Sequence, residues 1–315
     1  MRAYLIRRII QSIIVVIGVS IFIFVLLHAI YPSPARAALG LRVPQSTINA
    51  FNKANGYDDP VIVQYLRYMN QLLHGNLGWS YVENQSVLSL FTERLARSIY
   101  LSGISLIFAI VIAIPLGIFQ AIKRNSIGDN VATSLAFILY SMPSFFLGLI
   151  LIQVFALSIP IFSFEASQST DIWTVIGDWN AMTLPIATLT LVTVAAYSRY
   201  MRSSSMDVLA QDYIKVARAK GLPERLVLMR HLVRNASLPM VTLIGLSLPI
   251  LLAGNLITES LFNYQGLGLL FYESLQKVDY PVLLAYTLAG AVLVVIGNLI
   301  ADIALTIADP RIRLA

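Results

Sequence analysis

The sequence contains no cysteine and only three histidines, His28, His74 and His231. Disulfides, thiol chemistry and cysteine-ligated metal are excluded, and the histidines lie too far apart in sequence to suggest a metal site. Charge is also scarce: 12% of the 315 residues are Asp, Glu, Lys or Arg, against 57% hydrophobic, and mean hydropathy is +0.76. A soluble domain is about half apolar and a quarter charged, so the deficit of charge points to an integral membrane protein. Also missing is any Gly followed by Lys-Ser or Lys-Thr at the spacing of a phosphate-binding loop. The chain itself is therefore expected to be non-catalytic toward nucleotides.

What the chain has in abundance is apolar runs. Six of them, near 9–30, 99–121, 131–157, 182–198, 236–258 and 281–307, are long enough to cross a hydrocarbon core of roughly 30 Å as helices. The expected fold class is an all-α integral membrane protein with six transmembrane helices. Lys and Arg segregate as the positive-inside rule requires. Arg2, Arg7, Arg8, Lys123, Arg124, the 199–234 loop, Arg311 and Arg313 fall on one side, whereas 158–181 has none and 259–280 only Lys277. Both termini are thus expected in the cytoplasm and the segment 31–96 outside. Topology also accounts for the net charge of +6, so the bilayer, not nucleic acid, is the expected partner of the basic residues. The apolar stretch Ile9–Ile30 exceeds the 7–15 residues of a signal-peptide core and reads as a retained span.

The outer segment has helix-like stretches at 44–55 and 61–74, with turns at 56–60 and 75–78, and reads as a small cap between the first two spans. Prolines interrupt the spans at Pro115, Pro143, Pro185 and Pro249. Each removes a backbone donor and tends to kink its helix, which is either ordinary bundle architecture or the shaping of a path. Polar residues singled out in or beside the apolar runs are Gln153, Asn255, Glu259, Asn298 and Asp302. An acid facing lipid costs at least about 2.5 kcal/mol, so Asp302 is expected to face the bundle and to be paired.

The longest basic segment, Arg199–Arg234, carries Arg199, Arg202, Lys215, Arg218, Lys220, Arg225, Arg230 and Arg234 against Asp207, Asp212 and Glu224. Its middle, Asp212 to Gly221, reads as a short amphipathic helix ended by Gly221 and Pro223. Leu209, Tyr213 and Val216, at i, i+4 and i+7, are placed on one face.

Taken together, several blocks resemble the B-type permease subunits of ABC importers for dipeptides, oligopeptides and nickel. They are Gly56 to Pro60, Gln64-Tyr65, Gly75-Asn76-Leu77-Gly78-Trp79-Ser80, Thr258-Glu259, Phe262, Gly266-Leu267-Gly268, Asp279-Tyr280-Pro281, Asn298, Asp302 and Asp309-Pro310-Arg311-Ile312-Arg313. The basic segment is similar to the coupling loop of that family. Lys215-Val216-Ala217 stands where Glu-Ala-Ala stands in the general form, Gly221 matches, and Leu238-Pro239 closes the motif five residues late.

The resemblance implies a type I ABC importer permease fold. Residues 1–30 would form the N-terminal helix, 31–96 the extracytoplasmic segment, 97–307 a core with a coupling loop at 199–235, and 308–315 a cytoplasmic tail. It implies that Asp212, Tyr213, Val216, Ala217, Arg218, Ala219, Lys220 and Gly221 dock into a cytoplasmic ATPase, with Glu224 and Arg225 continuing the surface. It further implies a second homologous permease subunit, two ATPase subunits that carry ATP and Mg, and an extracytoplasmic substrate-binding protein; no cofactor is expected on this chain. The implied cargo is a peptide, with nickel chelates, glutathione or oligosaccharides as alternatives, and Glu259, Asn263 and Tyr264 are candidates for the substrate pathway. An ion-coupled carrier and an intramembrane enzyme using Asp302 and Glu259 remain as readings from other classes.

Overall fold

The computed structural model describes residues 2–30, 33–40 and 42–308; the side chain of Asp302 and residues 309–313 lie outside the described part. A long helix α1 (Arg2–Ile30) leads into three short helices, α2 (Ala35–Leu39), α3 (Gln45–Asn55) and α4 (Val61–Leu73). These are followed by a two-residue hairpin, β1 (Trp79–Ser80) and β2 (Gln85–Ser86), in which Trp79 pairs with Ser86 and Ser80 with Gln85. Gly56 and Gly75, at the two expected turns, have positive φ. The hairpin gave no sequence signal, because two residues per strand are too few for an alternating pattern.

The bundle proper begins with α5 (Val87–Ile122), capped by the Ser86 hydroxyl, which accepts from Ser89 N at 3.1 Å. Then come α6 (Ile127–Ser141), α7 (Ser144–Ile152) with a π-helical extension to Ser158, α8 (Ile172–Gly177) and α9 (Trp179–Leu209). The segment expected to be a cytoplasmic loop contains α10 (Asp212–Ala219), α11 (Glu224–Leu226), a π-helical turn over Val227–Val233 and α12 (Arg234–Ala236). The chain closes with α13 (Leu238–Ala253), α14 (Leu256–Leu261), α15 (Leu267–Lys277) and α16 (Tyr280–Ala308).

Three expectations about the spans change. Among the described residues four helices are long and apolar enough to cross a membrane, Ile10–Ile30, Val87–Ile122, Trp179–Leu209 and Tyr280–Ile300. The expected span 131–157 is a pair of helices, α6 and α7, bent by 105°. Pro143 explains the break: a proline drives its predecessor out of the helical region, and Met142 sits at φ −78°, ψ 132°. The expected span 236–258 stops after 16 residues at Ala253, because Gly254 takes φ +83°. Pro115 and Pro185, by contrast, lie inside unbroken helices.

Small residues let the central helices touch. A methyl group on Gly117 of α5 would stand 2.6 Å from Met201 Cβ and 2.7 Å from the Ser198 carbonyl oxygen of α9, the close backbone approach that drives association in lipid. Around that contact Ala113, Tyr197, Met201, Leu232, Ala236 and Met240 form one core. Phe24, Tyr280 and Leu284 form another, tying α1 to α16 with Tyr65 and Tyr68 of α4. Meanwhile Ile13, Ile14 and Phe22 of α1 and Val131, Leu135 and Ile138 of α6 are exposed, which suits a surface wetted by acyl chains.

Candidate functional site: a docking helix, a carboxylate clamp and a polar groove

At the basic end, α10 is anchored on one side and open on the other. Ile214 and Ala217 are buried with Val227 against Val208 and Leu222, whereas Tyr213 and Val216 are 42% and 50% exposed. The expected stripe of Leu209, Tyr213 and Val216 is corrected here. Leu209 ends α9 and packs into the bundle core around Met201, and a turn at Ala210–Gln211 separates it from the other two. The inward face is Ile214/Ala217, leaving Tyr213 and Val216 as an apolar pair facing outward.

The C-terminus of α10 is closed as a Schellman motif. Gly221, at φ +76°, donates its N–H to Arg218 O at 2.9 Å, and Leu222 donates to Ala217 O at 3.4 Å. Leu222 also packs with Ala217, the apolar contact that accompanies this cap. Pro223 then starts α11, and Arg218 forks onto Glu224 through Nη2 at 2.7 Å and Nε at 3.2 Å. That pairing raises the Arg218 pKa and ties α11 to the helix before it. Glu224 thus faces Arg218, and Asp212, its carboxyl lowered by Lys215, pairs with Lys215 Nζ at 2.9 Å.

At the opposite end stands Glu259. It is fully buried, and its carboxylate accepts four hydrogen bonds: from Ser98 Oγ of α5 at 2.8 Å, Asn255 N at 3.0 Å, Gly268 N at 2.7 Å and Leu269 N at 3.1 Å. One side chain therefore ties α5, the break after α13, and the N-terminus of α15, whose unpaired N–H groups favour an anion. Glycine is needed around it: a Cβ on Gly266 would fall 2.5 Å from Ser98 Oγ, and one on Gly254 would fall 2.9 Å from Glu259 Oε1. Tyr264, also fully buried, donates to Arg97 O at 2.9 Å, and Asn263 is exposed at φ +50°. In this conformation Glu259 and Tyr264 are enclosed and act as a clamp inside the protein.

The open polar surface lies beside them. A groove of about 410 Å³ runs between α5, α9 and α13, with Ser102, Ser105, Ser144, Thr193, Ser247 and Asn255 in its wall. Asn255 donates to Ser102 Oγ at 2.7 Å. No charged side chain lines it. A reading that weighted acids and amides within the apolar runs passed over these hydroxyls. Ser102 and Ser105, three apart on α5, are the signal that could have found it. Among the described residues no group of three His, Asp or Glu could hold a metal ion.

A multi-span helical chain with a polar groove open along one side is the architecture of a membrane permease component. Comparison with known proteins bears this out. The family of binding-protein-dependent transport system inner membrane components matches residues 113–314, and its N-terminal domain matches residues 1–102. The chain belongs to that family. It is 38% identical to an oligopeptide transport system permease protein, AppB, of Bacillus subtilis, over 99% of this chain and 100% of that one. It is 34% identical to a putative peptide permease protein of Brucella ovis, over 99% of both chains. A glutathione transport system permease protein, GsiC, of Salmonella paratyphi A is 32% identical over 98% of both.

Proposed function

We propose that this chain is one of two permease subunits of an ATP-driven importer that moves peptides across the bacterial cytoplasmic membrane. The observation that carries the reading is α10: its inner face is held by Ile214 and Ala217 while Tyr213 and Val216 stay open, which is what a helix gripped by a second protein needs. Asp212, Ala219, Lys220 and Arg225 complete the contact surface toward a cytoplasmic ATPase, one of a pair that carries ATP and Mg. The chain itself is non-catalytic. A homologous permease covers the hydroxyl-lined groove to close a path, and a substrate-binding protein delivers cargo to the cap at 31–96 and the loop at 259–280. In this reading the bent pair counts as one span and α13 as another, giving six, with both termini in the cytoplasm.

The mechanism is mechanical. Closure of the ATPase pair displaces α10, and its anchoring through Ile214, Ala217 and Val227 passes that displacement to the core around Met201 and Leu232. Nucleotide can drive this only by favouring one conformation over another. Peptide cargo is supported by the oligopeptide and putative peptide permeases to which the chain is similar, and glutathione is itself a tripeptide. The test is uptake of labelled trialanine into vesicles holding the complete importer. ATP-dependent, vanadate-sensitive uptake that survives collapse of ion gradients is expected. Uptake that follows an ion gradient without ATP would sink the reading.

A further inference from the structure

Beyond the hydroxyl-lined groove, α9 carries a second open site on the same face. Thr193 lines the groove, and Ala196, Arg199, Tyr200 and Ser203 follow it at helical spacing, a single stripe along an otherwise largely buried helix. The lower residues line a separate cavity of about 440 Å³ toward the basic end. Arg199 lies about 9 Å below Thr193 along the axis.

Arg199 is held differently from the neighbouring cation. Arg202, three residues on, is neutralised by Asp129 through two hydrogen bonds of 2.8 Å. The Arg199 guanidinium instead lies 4.3 Å from the Phe137 ring centre and 4.8 Å from that of Tyr140, with no acidic partner among the described residues. Stacking on ring faces fixes a guanidinium and leaves its N–H edge for a planar oxyanion. Thr133, Tyr200 and Ser203 place hydroxyls around the same cavity.

We propose that Arg199, set on Phe137 and Tyr140, is a specificity-determining residue that binds the carboxylate of the cargo on the cytoplasmic half of the path. The inference rests on the peptide-import reading, and it adds a charge requirement to a route otherwise lined by neutral hydroxyls. An anionic lipid headgroup shares this oxyanion chemistry. Cargo is favoured because the cavity continues the α9 face that lines the groove, and helical spacing sets its Thr133, Phe137 and Tyr140 on the side of α6 away from the stripe Val131, Leu135 and Ile138.

The test uses the complete importer in phosphatidylcholine vesicles, and in parallel in vesicles that also contain phosphatidylglycerol, with uptake of trialanine and of its C-terminal amide measured for wild type, Arg199→Gln and Arg199→Lys. Arg199→Gln is expected to slow trialanine about tenfold, while the amide changes less than about twofold and Arg199→Lys, which keeps the charge but loses the stacked planar fork, recovers only part of the loss. A second readout bypasses delivery: trialanine, and not its amide, should protect Arg199 from phenylglyoxal in the complete importer. Equal slowing of both peptides, unchanged trialanine uptake, absence of protection, or a defect confined to vesicles containing phosphatidylglycerol would overturn the proposal. Absence of ATP-driven trialanine uptake by the wild type would instead bring down the import reading itself.

Discussion

The two ends of this molecule use charge in opposite ways. At the basic end the ion pairs Asp212–Lys215 and Arg218–Glu224 are about half exposed or more, where water screens such pairs and they contribute little. What secures α10 is the burial of Ile214 and Ala217 together with its glycine cap. At the other end Glu259 is sealed from solvent and spends its whole acceptor capacity on α5, Asn255 and α15. The basic end carries two apolar side chains, Tyr213 and Val216, outward and its charges in water. The opposite end places one carboxyl inside and surrounds it with donors.

The sharpest way to break this comparison is Glu259→Ala. It leaves three buried backbone N–H groups and the Ser98 hydroxyl without an acceptor, at about 1–3 kcal/mol each, so the purified chain should lose several degrees of melting temperature or fail to accumulate. A variant as stable as wild type would show that the clamp does not hold the joint. At the basic end, Gly221→Pro cannot adopt φ +76°. Uptake should be abolished while the chain remains in the membrane, and transport at normal rates would remove α10 from the coupling path.

A milder change separates docking from folding. Val216→Asp puts a charge on the outward face of α10 and should weaken retention of the ATPase about tenfold, measured by co-purification, with thermal stability unchanged to within about 0.5 kcal/mol. The smallest expected effect concerns Asp279, whose carboxylate accepts from Ser80 and is raised by burial. A carboxyl raised in the folded state adds stability below its ordinary pKa of about 4, and that stability is lost as pH rises through the raised value. Melting temperature should therefore fall between pH 4 and the raised pKa, and Asp279→Asn should flatten that slope.

Much of this was legible before any coordinates. The helix Asp212–Ala219, its stop at Gly221 and Pro223, and the turns at Gly56 and Gly75 were expected from glycine and proline placement and agree with the structure. Errors arose where a local rule met a longer-range partner. Tyr213 and Val216 were placed correctly on one face, but which face packs inward depends on Val227 and Leu222, which arrive from later in the chain. Glu259 and Tyr264 were candidates for the substrate pathway, and their enclosure by Ser98 and Arg97, more than 160 residues earlier, had no local signal. The bend after Ser141 was signalled by Pro143 as a kink, but its angle of 105° was not.

By itself, the sequence determined the solvent and the helix stops set by glycine and proline. Hydropathy decides where a backbone can be dry, and glycine and proline restrict φ and ψ locally, so both act without knowledge of the rest of the fold. Tertiary structure alone decided which polar groups are enclosed and which stay open. Burial is a property of neighbours distant in the chain, and it enclosed Glu259 among donors while leaving a row of hydroxyls and one stacked arginine facing space.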